Sequence, residues 1–413
     1  MSEPAPESPP GVPEAESADA PLLLPFLLGA AGWFGSFGLQ AVLFSTLLVV
    51  ELEETPSRVG AAQSALMLPS VVLVLFGGAF ADRSDRRRLL MTLHIVAGVL
   101  VLGLAAMVAT GRLAYGVLIG YALAMGTLQA FILPARDSLL SEVAGDDLGR
   151  AVASMNVTQW GSQALGALLA SATRFVGPAA MLVVQSFLLF TGAPALSRLP
   201  AAIGRASTAS ERLSVGSLFT GIREVAGSSV LLPTLVLVMA VGILFVGPFQ
   251  VVLPLMMRDT YGGGVFEIAL VSTMFPFGTI TGSLAIVARG GLRRKGRSQL
   301  AALGGGAVVL LVLASGLPLW GTVFGIWLWG IFGSVFMIAG RTTFQESALA
   351  ASRGRVLATY TFGFMGAAGV VGAPLSGALV ARFGPEQSLG LLGIAMLLVV
   401  ASVGMLSTLR HIE

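Results

Sequence analysis

The sequence predicts an all-α integral membrane protein whose twelve transmembrane helices form two six-helix halves. Three observations predict it. The 413-residue chain is 55% hydrophobic and only 11% charged, whereas a soluble domain is roughly a quarter charged. Its apolar runs recur at the length that crosses a hydrocarbon core of about 30 Å. Its basic residues gather in alternate loops.

The runs fall at 22–50, 58–81, 89–109, 113–133, 151–173 and 178–197. After a polar stretch they resume at 230–257, 265–288, 298–317, 319–341, 355–381 and 387–409. The segment LLMTLHIVAGVLVLGLAAMVA is apolar around its whole circumference, unlike the one-sided stripe of a helix in a soluble protein. Hydrocarbon admits only helices and closed barrels, because every backbone group must find a partner within the protein. The alternating segments of roughly ten residues that mark a barrel do not occur.

Residues 1–20 are a different material, with five acids, no Lys or Arg, and many Pro, Ser and Ala. Such a composition predicts a disordered acidic tail on the cytoplasmic side. It lacks the basic start of a signal peptide, so the first apolar run is expected to remain as helix one. The N-terminal bundle is then 21–197, the cytoplasmic central loop 198–229 and the C-terminal bundle 230–410.

Orientation follows from Lys and Arg. With both termini cytoplasmic and twelve alternating helices, 19 of the 24 basic residues fall inside and 5 outside. A missed or extra helix would scramble that partition. The central polar stretch splits the chain into two sixes, and a faint repeat supports the split. At a spacing of 205 residues Arg136 matches Arg341, Gly149 matches Gly354, Arg150 matches Arg355 and Gly161 matches Gly366. LQAVL at 39–43 echoes FQVVL at 249–253, setting Gln40 against Gln250. Paired six-helix halves put a binding site between them near the midplane.

The sharpest local signal is GGAFADRSDRRRLL at 77–90, between helices two and three. Gly78 allows close helix packing. Asp82, at the membrane edge, can accept from a neighbouring helix N-terminus. Arg83, Arg86 and Arg87 can hold carboxylates or lipid phosphates. Together they make a candidate latch for one closed state, against the plain alternative of a positive-inside loop. The order Gly-x-x-x-Asp-Arg-x-x-Arg-Arg resembles the signature loop of the major facilitator superfamily, with Asp85 where glycine is usual. The DRSDRR form and the segment LPARDSLLSEVAGDDLGRAVASMN at 133–156 are similar to the enterobactin-exporter and macrolide-efflux branch. The resemblance covers about 20 to 410. It implies secondary transport by alternating access, leaving substrate, coupling ion and direction open. The matching second-half loop, GSLAIVARGGLRRKGR, keeps the glycine and the basic cluster without the acid.

Helix five carries Asn156, Gln159, Trp160 and Gln163 at spacings that share a face. Polar groups in a span face the bundle interior or a cavity. With Trp33, Gln40 and Gln250 they form the candidate substrate cavity; interhelical hydrogen bonding is the bland alternative. Helix eleven contains GFMGAAGVVGAPLSGAL, whose glycines suit tight packing and whose Pro374 can bend it. No span carries an acid near its middle, so proton coupling would rest on edge acids such as Asp137 or Glu346. A lone His94 reads as structural.

Zero cysteines and two histidines predict no metal site, and no phosphate-binding Gly-x-x-x-x-Gly-Lys motif occurs. No enzyme chemistry, cofactor or nucleic-acid partner is expected, since topology accounts for the basic loops. The expected partners are a small-molecule substrate and the lipid bilayer, with a single chain sufficient. Arg-, Ala- and Gly-rich usage points to a bacterial inner membrane. The leading expectation is export of a small organic or amphipathic molecule. A lipid or lysolipid flippase is the first rival, and a non-transporting scaffold or sensor the second.

Overall fold

The computed structural model describes residues 20–145, 147–200, 203–204, 215–292, 294–348 and 353–411. At 20–21, 74–79, 81–82, 148, 215–220, 353–354 and 411 it describes the backbone alone. Among these residues, 10 helical stretches are long and apolar enough to cross a membrane. One of them, Gly149–Ser197, is 49 residues long and holds two spans. The chain turns over Ala170–Ala172 and again at Gly177, where φ is 81°. Helix two, Pro56–Arg83, completes the twelve. An even number of spans returns both ends of the chain to one side, called here the terminal side.

Helix one is Ala20–Thr46 with a π-turn at Leu47–Glu51; helices three to six are Arg86–Ala109, Tyr115–Val143, Leu148–Leu169 and Thr173–Ser197. Helix seven runs Leu231–Asp259, helix eight Val265–Ala288 and helix nine Lys295–Leu313. Helix ten is Leu319–Ser347, helix eleven Arg353–Phe383 in three segments, and helix twelve Pro385–Leu406.

In lipid, helices gain nothing from hiding apolar surface from one another, so close backbone approach has to hold them together. Glycine supplies it here, in the same place in each half. Helix one crosses helix five where Gly35 faces Gly166, and Gly38 faces the Gln163 carbonyl. Helix seven crosses helix eleven where Gly242 faces Gly372; a Cβ on Gly372 would lie 2.6 Å from the Gly242 carbonyl oxygen. Helix two meets helix four at Gly126, and helix eight meets helix ten at Gly278 and Gly330. These pairs are the repeat made physical, close to the 205-residue spacing of the sequence.

The halves differ in regularity. Helices seven and eleven each contain a π-turn, Gly242–Val246 and Ala367–Gly372, and these two turns pack on each other. Pro248 and Pro374 stand two residues beyond their ends. Helix seven breaks again at Val251, between Gly247–Gln250 and Val252–Asp259.

The central loop expected over 198–229 is not all loop. Val215–Gly227 is an α-helix. Its apolar residues Val215, Leu218, Ile222 and Val225 recur at helical spacing, and Val225 is buried with Leu231, Phe344 and Val356. The acidic segment 1–19 lies outside the described residues.

Candidate functional site

The two halves meet from the side remote from the termini to about the membrane middle. Helix two lies on helix eleven through glycine. A Cβ on Gly377 would lie 2.5 Å from the Pro56 carbonyl oxygen, and one on Gly369 would lie 2.6 Å from Met67. Arg258, near the end of helix seven, donates to the Val49 carbonyl of helix one at 3.1 Å. That carbonyl belongs to the last turn of a helix, where acceptors lack in-helix donors and a cation is favoured. Arg174 sits 4.9 Å over the Phe266 ring, joining the first turn of helix six to helix eight. Gln63 of helix two is buried and donates to Ser45 Oγ at 3.2 Å and to the Gln250 carbonyl at 3.3 Å.

The loop between helices two and three is tied into the first half. Asp85 caps helix three by accepting from the Arg88 N–H at 2.9 Å. This gives a physical reason for an acid where glycine is usual, since a side-chain acceptor at this position satisfies an orphan donor. Arg86 is only 7% exposed and pairs with Glu142 of helix four. The other Glu142 oxygen accepts from the Gly204 N–H at 2.6 Å, and the Gly204 carbonyl accepts from the Arg86 N–H at 2.7 Å. Gly204 closes this ring at φ 83°, a conformation natural to glycine. Arg87 caps helix six, donating to the Leu196 and Ser197 carbonyls at 3.1 and 2.6 Å. Arg83 is exposed. Gly78 and Asp82 are described by their backbone alone, so the expected role of the Asp82 side chain lies outside the described residues. Arg86 and Arg87 of the expected latch thus bolt helix three to helices four and six within one half.

The seven expected cavity residues separate into two groups. Trp33 packs edge-on against His94 of helix three, with ring centroids 5.3 Å apart, inside the first half. Gln40 is also inside that half. Its Oε1 accepts from Tyr121 OH at 3.1 Å, and Tyr121 in turn accepts from Gln185 Nε2 at 3.5 Å. This chain joins helices one, four and six, all three members being buried. Asn156 is exposed, and Gln159, Trp160 and Gln163 are half-buried on helix five. That helix runs between helix one of its own half and helix eight of the other. Gln250 stands on the seam, its carbonyl taken by Gln63 and its Oε1 buried without a protein partner. The structure therefore sets helix five and Gln250 along the seam and turns Trp33 and Gln40 away from it.

The edge acids have structural partners. Asp137 pairs with Arg136 at 2.7 Å and Glu346 with Lys295 at 2.5 Å. Glu267 caps helix eight by accepting from the Gly264 N–H at 2.7 Å. Both nitrogens of His94 face backbone carbonyls, those of Leu90 and Gly29, at 2.8 and 3.2 Å. Gln63, Tyr121 and Gln185 escaped sequence reasoning. The signal for them was present, because the rule that flags a polar residue in an apolar span applies to helices two, four and six as well as to helix five.

The second half holds an aromatic cluster in its core. Trp329 of helix ten meets Phe245, Phe249 and Phe275 at centroid distances of 5.3, 6.1 and 5.7 Å.

The family model of the Major Facilitator Superfamily matches residues 25–367. Solved transporters share the architecture. A point mutant of the nucleoside transporter NupG superposes with a TM-score of 0.77 at 14% identity, over 93% of this chain and 99% of that one. A bacterial homolog of the human lysosomal transporter Spinster, inward-facing and occupied, gives 0.73 at 12%, over 96% and 98%. An auto-inhibited peptide transporter of the POT family gives 0.72 at 12%, over 93% and 96%. At these identities the likeness is one of fold. No curated protein matches the chain in sequence. With the family model spanning most of the chain and two repeated six-helix halves beneath it, the protein belongs to the Major Facilitator Superfamily and is a secondary transporter, not an enzyme.

Proposed function

We propose that the protein exports a small organic or amphipathic molecule across a bacterial inner membrane by alternating access, with the terminal side in the cytoplasm. One observation carries the reading: the halves are pinned together from the remote side to the middle, and the polar stripe of helix five and Gln250 lie along the same seam. A carrier needs two arrangements of its halves and a bias between them. Glycine contacts and a few hydrogen bonds are a closure that can part. The 19:5 division of basic residues favours a cytoplasmic terminal side. Similarity of the DRSDRR loop and of 133–156 to the enterobactin-exporter and macrolide-efflux branch favours export. A seam without mid-span acids suits a neutral, cationic or amphipathic cargo.

The test is accumulation of dyes, macrolides, siderophores and lysolipids in bacteria stripped of their main exporters. Cells expressing the protein are compared with cells expressing Asp82→Asn at equal levels. Lower accumulation of one class with the parent protein alone identifies export and the cargo class. A response confined to lysolipids moves the reading to a flippase. Export by Asp82→Asn at the parent rate removes the latch role of Asp82. No change for any cargo refutes export of these classes.

A further inference from the structure

The hydrogen bond from Gln63 to helix seven is set up by a proline. In an α-helix each carbonyl accepts from the N–H four residues on. Four residues after Gln250 stands Pro254, which has no N–H. The regular donor to the Gln250 carbonyl is therefore missing for covalent reasons. The chain around it is also broken, with Val251 at φ −116° and ψ −53° between two short helical segments. Gln250 itself is half-buried, and the residues that follow it, Val251, Val252 and Leu253, are at most 1% exposed, so little water is at hand. A carbonyl in such surroundings without a donor is costly in proportion to its shielding. Gln63 supplies the donor from the other half of the protein. Its amide nitrogen has two hydrogens, and both are used: one goes to Ser45 of its own half, the other to Gln250 across the seam.

We propose that Gln63 is a positioning residue that sets the balance between the two arrangements of the halves, by lending helix seven the donor that Pro254 removes. The bond exists only while helices one, two and seven are in contact on the remote side. When that side opens, water reaches the carbonyl, and the difference is that of exchanging one hydrogen bond for another. Such an exchange is worth about a three- to tenfold change in population. This inference rests on reading the halves as moving parts, but its test needs no cargo.

The chain has no cysteine, so a reporter pair can be placed freely. Arg112→Cys and Ser315→Cys, both exposed in remote-side turns, carry spin labels in the full-length protein held in lipid nanodiscs. Electron–electron distance measurement then gives the populations with the remote side closed and parted. Gln63→Leu should raise the parted population about three- to tenfold. Pro254→Ala, which restores the in-helix N–H, should raise it by itself. In the Pro254→Ala background, Gln63→Leu should add less than about twofold. A merely structural glutamine would have the same effect in both backgrounds, and that outcome overturns the proposal. If Gln63→Leu does not fold, Pro254→Ala alone decides, and an unchanged population overturns the proposal. Two populations that ignore both substitutions overturn it while leaving alternating access standing. One invariant distance in every variant refutes the two-arrangement reading as well.

Discussion

Two glycines five residues apart on helix five should respond to the same substitution with opposite signs. Gly161 has nothing within 4 Å of where a Cβ would stand. At Gly166 a Cβ would run into the Gly35 carbonyl of helix one, and would lie 3.0 Å from the Leu39 nitrogen. Ordinary carbon–oxygen contacts are roughly 3.3–3.6 Å, so the two helices would have to part. The obstructing atoms are backbone and cannot rotate away. Helix propensity favours alanine over glycine by about 1 kcal/mol at either site. Overpacking at Gly166 costs about 1–3 kcal/mol, and the upper end applies because backbone must move. Gly161→Ala is thus expected to gain up to about 1 kcal/mol and Gly166→Ala to lose about 2. For a chain this size that gap corresponds to about 3–6 °C in thermal midpoint. The assay is thermal unfolding of the purified protein in one detergent, followed by loss of the monodisperse chromatographic peak. Equal midpoints for the two variants, or a Gly166→Ala variant as stable as the parent, would refute the glycine-crossing argument.

Three further outcomes follow from the first half. Glu142→Gln weakens the bond to the buried Arg86 while keeping the shape, so it should lower the thermal midpoint by an amount equivalent to about 1–2 kcal/mol; an unchanged midpoint removes the bolt. Tyr121→Phe leaves Gln40 and Gln185 without their shared hydroxyl and should cost about 1–2 kcal/mol in urea-induced unfolding, where a neutral result would mean that the amides find other partners. Asp85→Ala should cost about 1 kcal/mol and Asp85→Gly only a few tenths, because glycine is tolerated at a helix start; the thermal midpoints of the two variants should rank in that order, and the reverse ranking would sink the capping role.

Much of this architecture was legible because lipid leaves a chain few options. A backbone that must satisfy itself becomes helix, so apolar runs could be counted, and the basic loops divided as alternating helices require. The glycines of helix eleven were legible as packing residues, and Gly366, Gly369 and Gly377 do meet Val71, Met67 and Gly60. What stayed hidden was direction. Gln40 and Gln63 are both amides in apolar helices, and no local pattern says that the first turns to Tyr121 and the second to helix seven. The rule that polar groups face the interior does not distinguish the inside of one half from the seam between halves. The π-turns were hidden too, since each is held by the helix it packs on. Val215–Gly227 escaped because a short amphipathic helix has too little apolar length to register as a span.

A π-turn adds a residue without adding a full turn, so it works as a dial as well as a bend. Each residue of an α-helix advances about 100° around the axis. Beyond Ala367–Gly372, every side chain of helix eleven therefore points about 100° away from where an uninterrupted helix would aim it. Gly377 looks at Gly60 because of that offset. Were the turn to close into regular helix, the glycine would swing aside and a bulkier neighbour would come round to face helix two. The contour of the remote closure is thus written five residues upstream of the contact, in a turn that touches helix seven, and the two crossings of helix eleven cannot change independently.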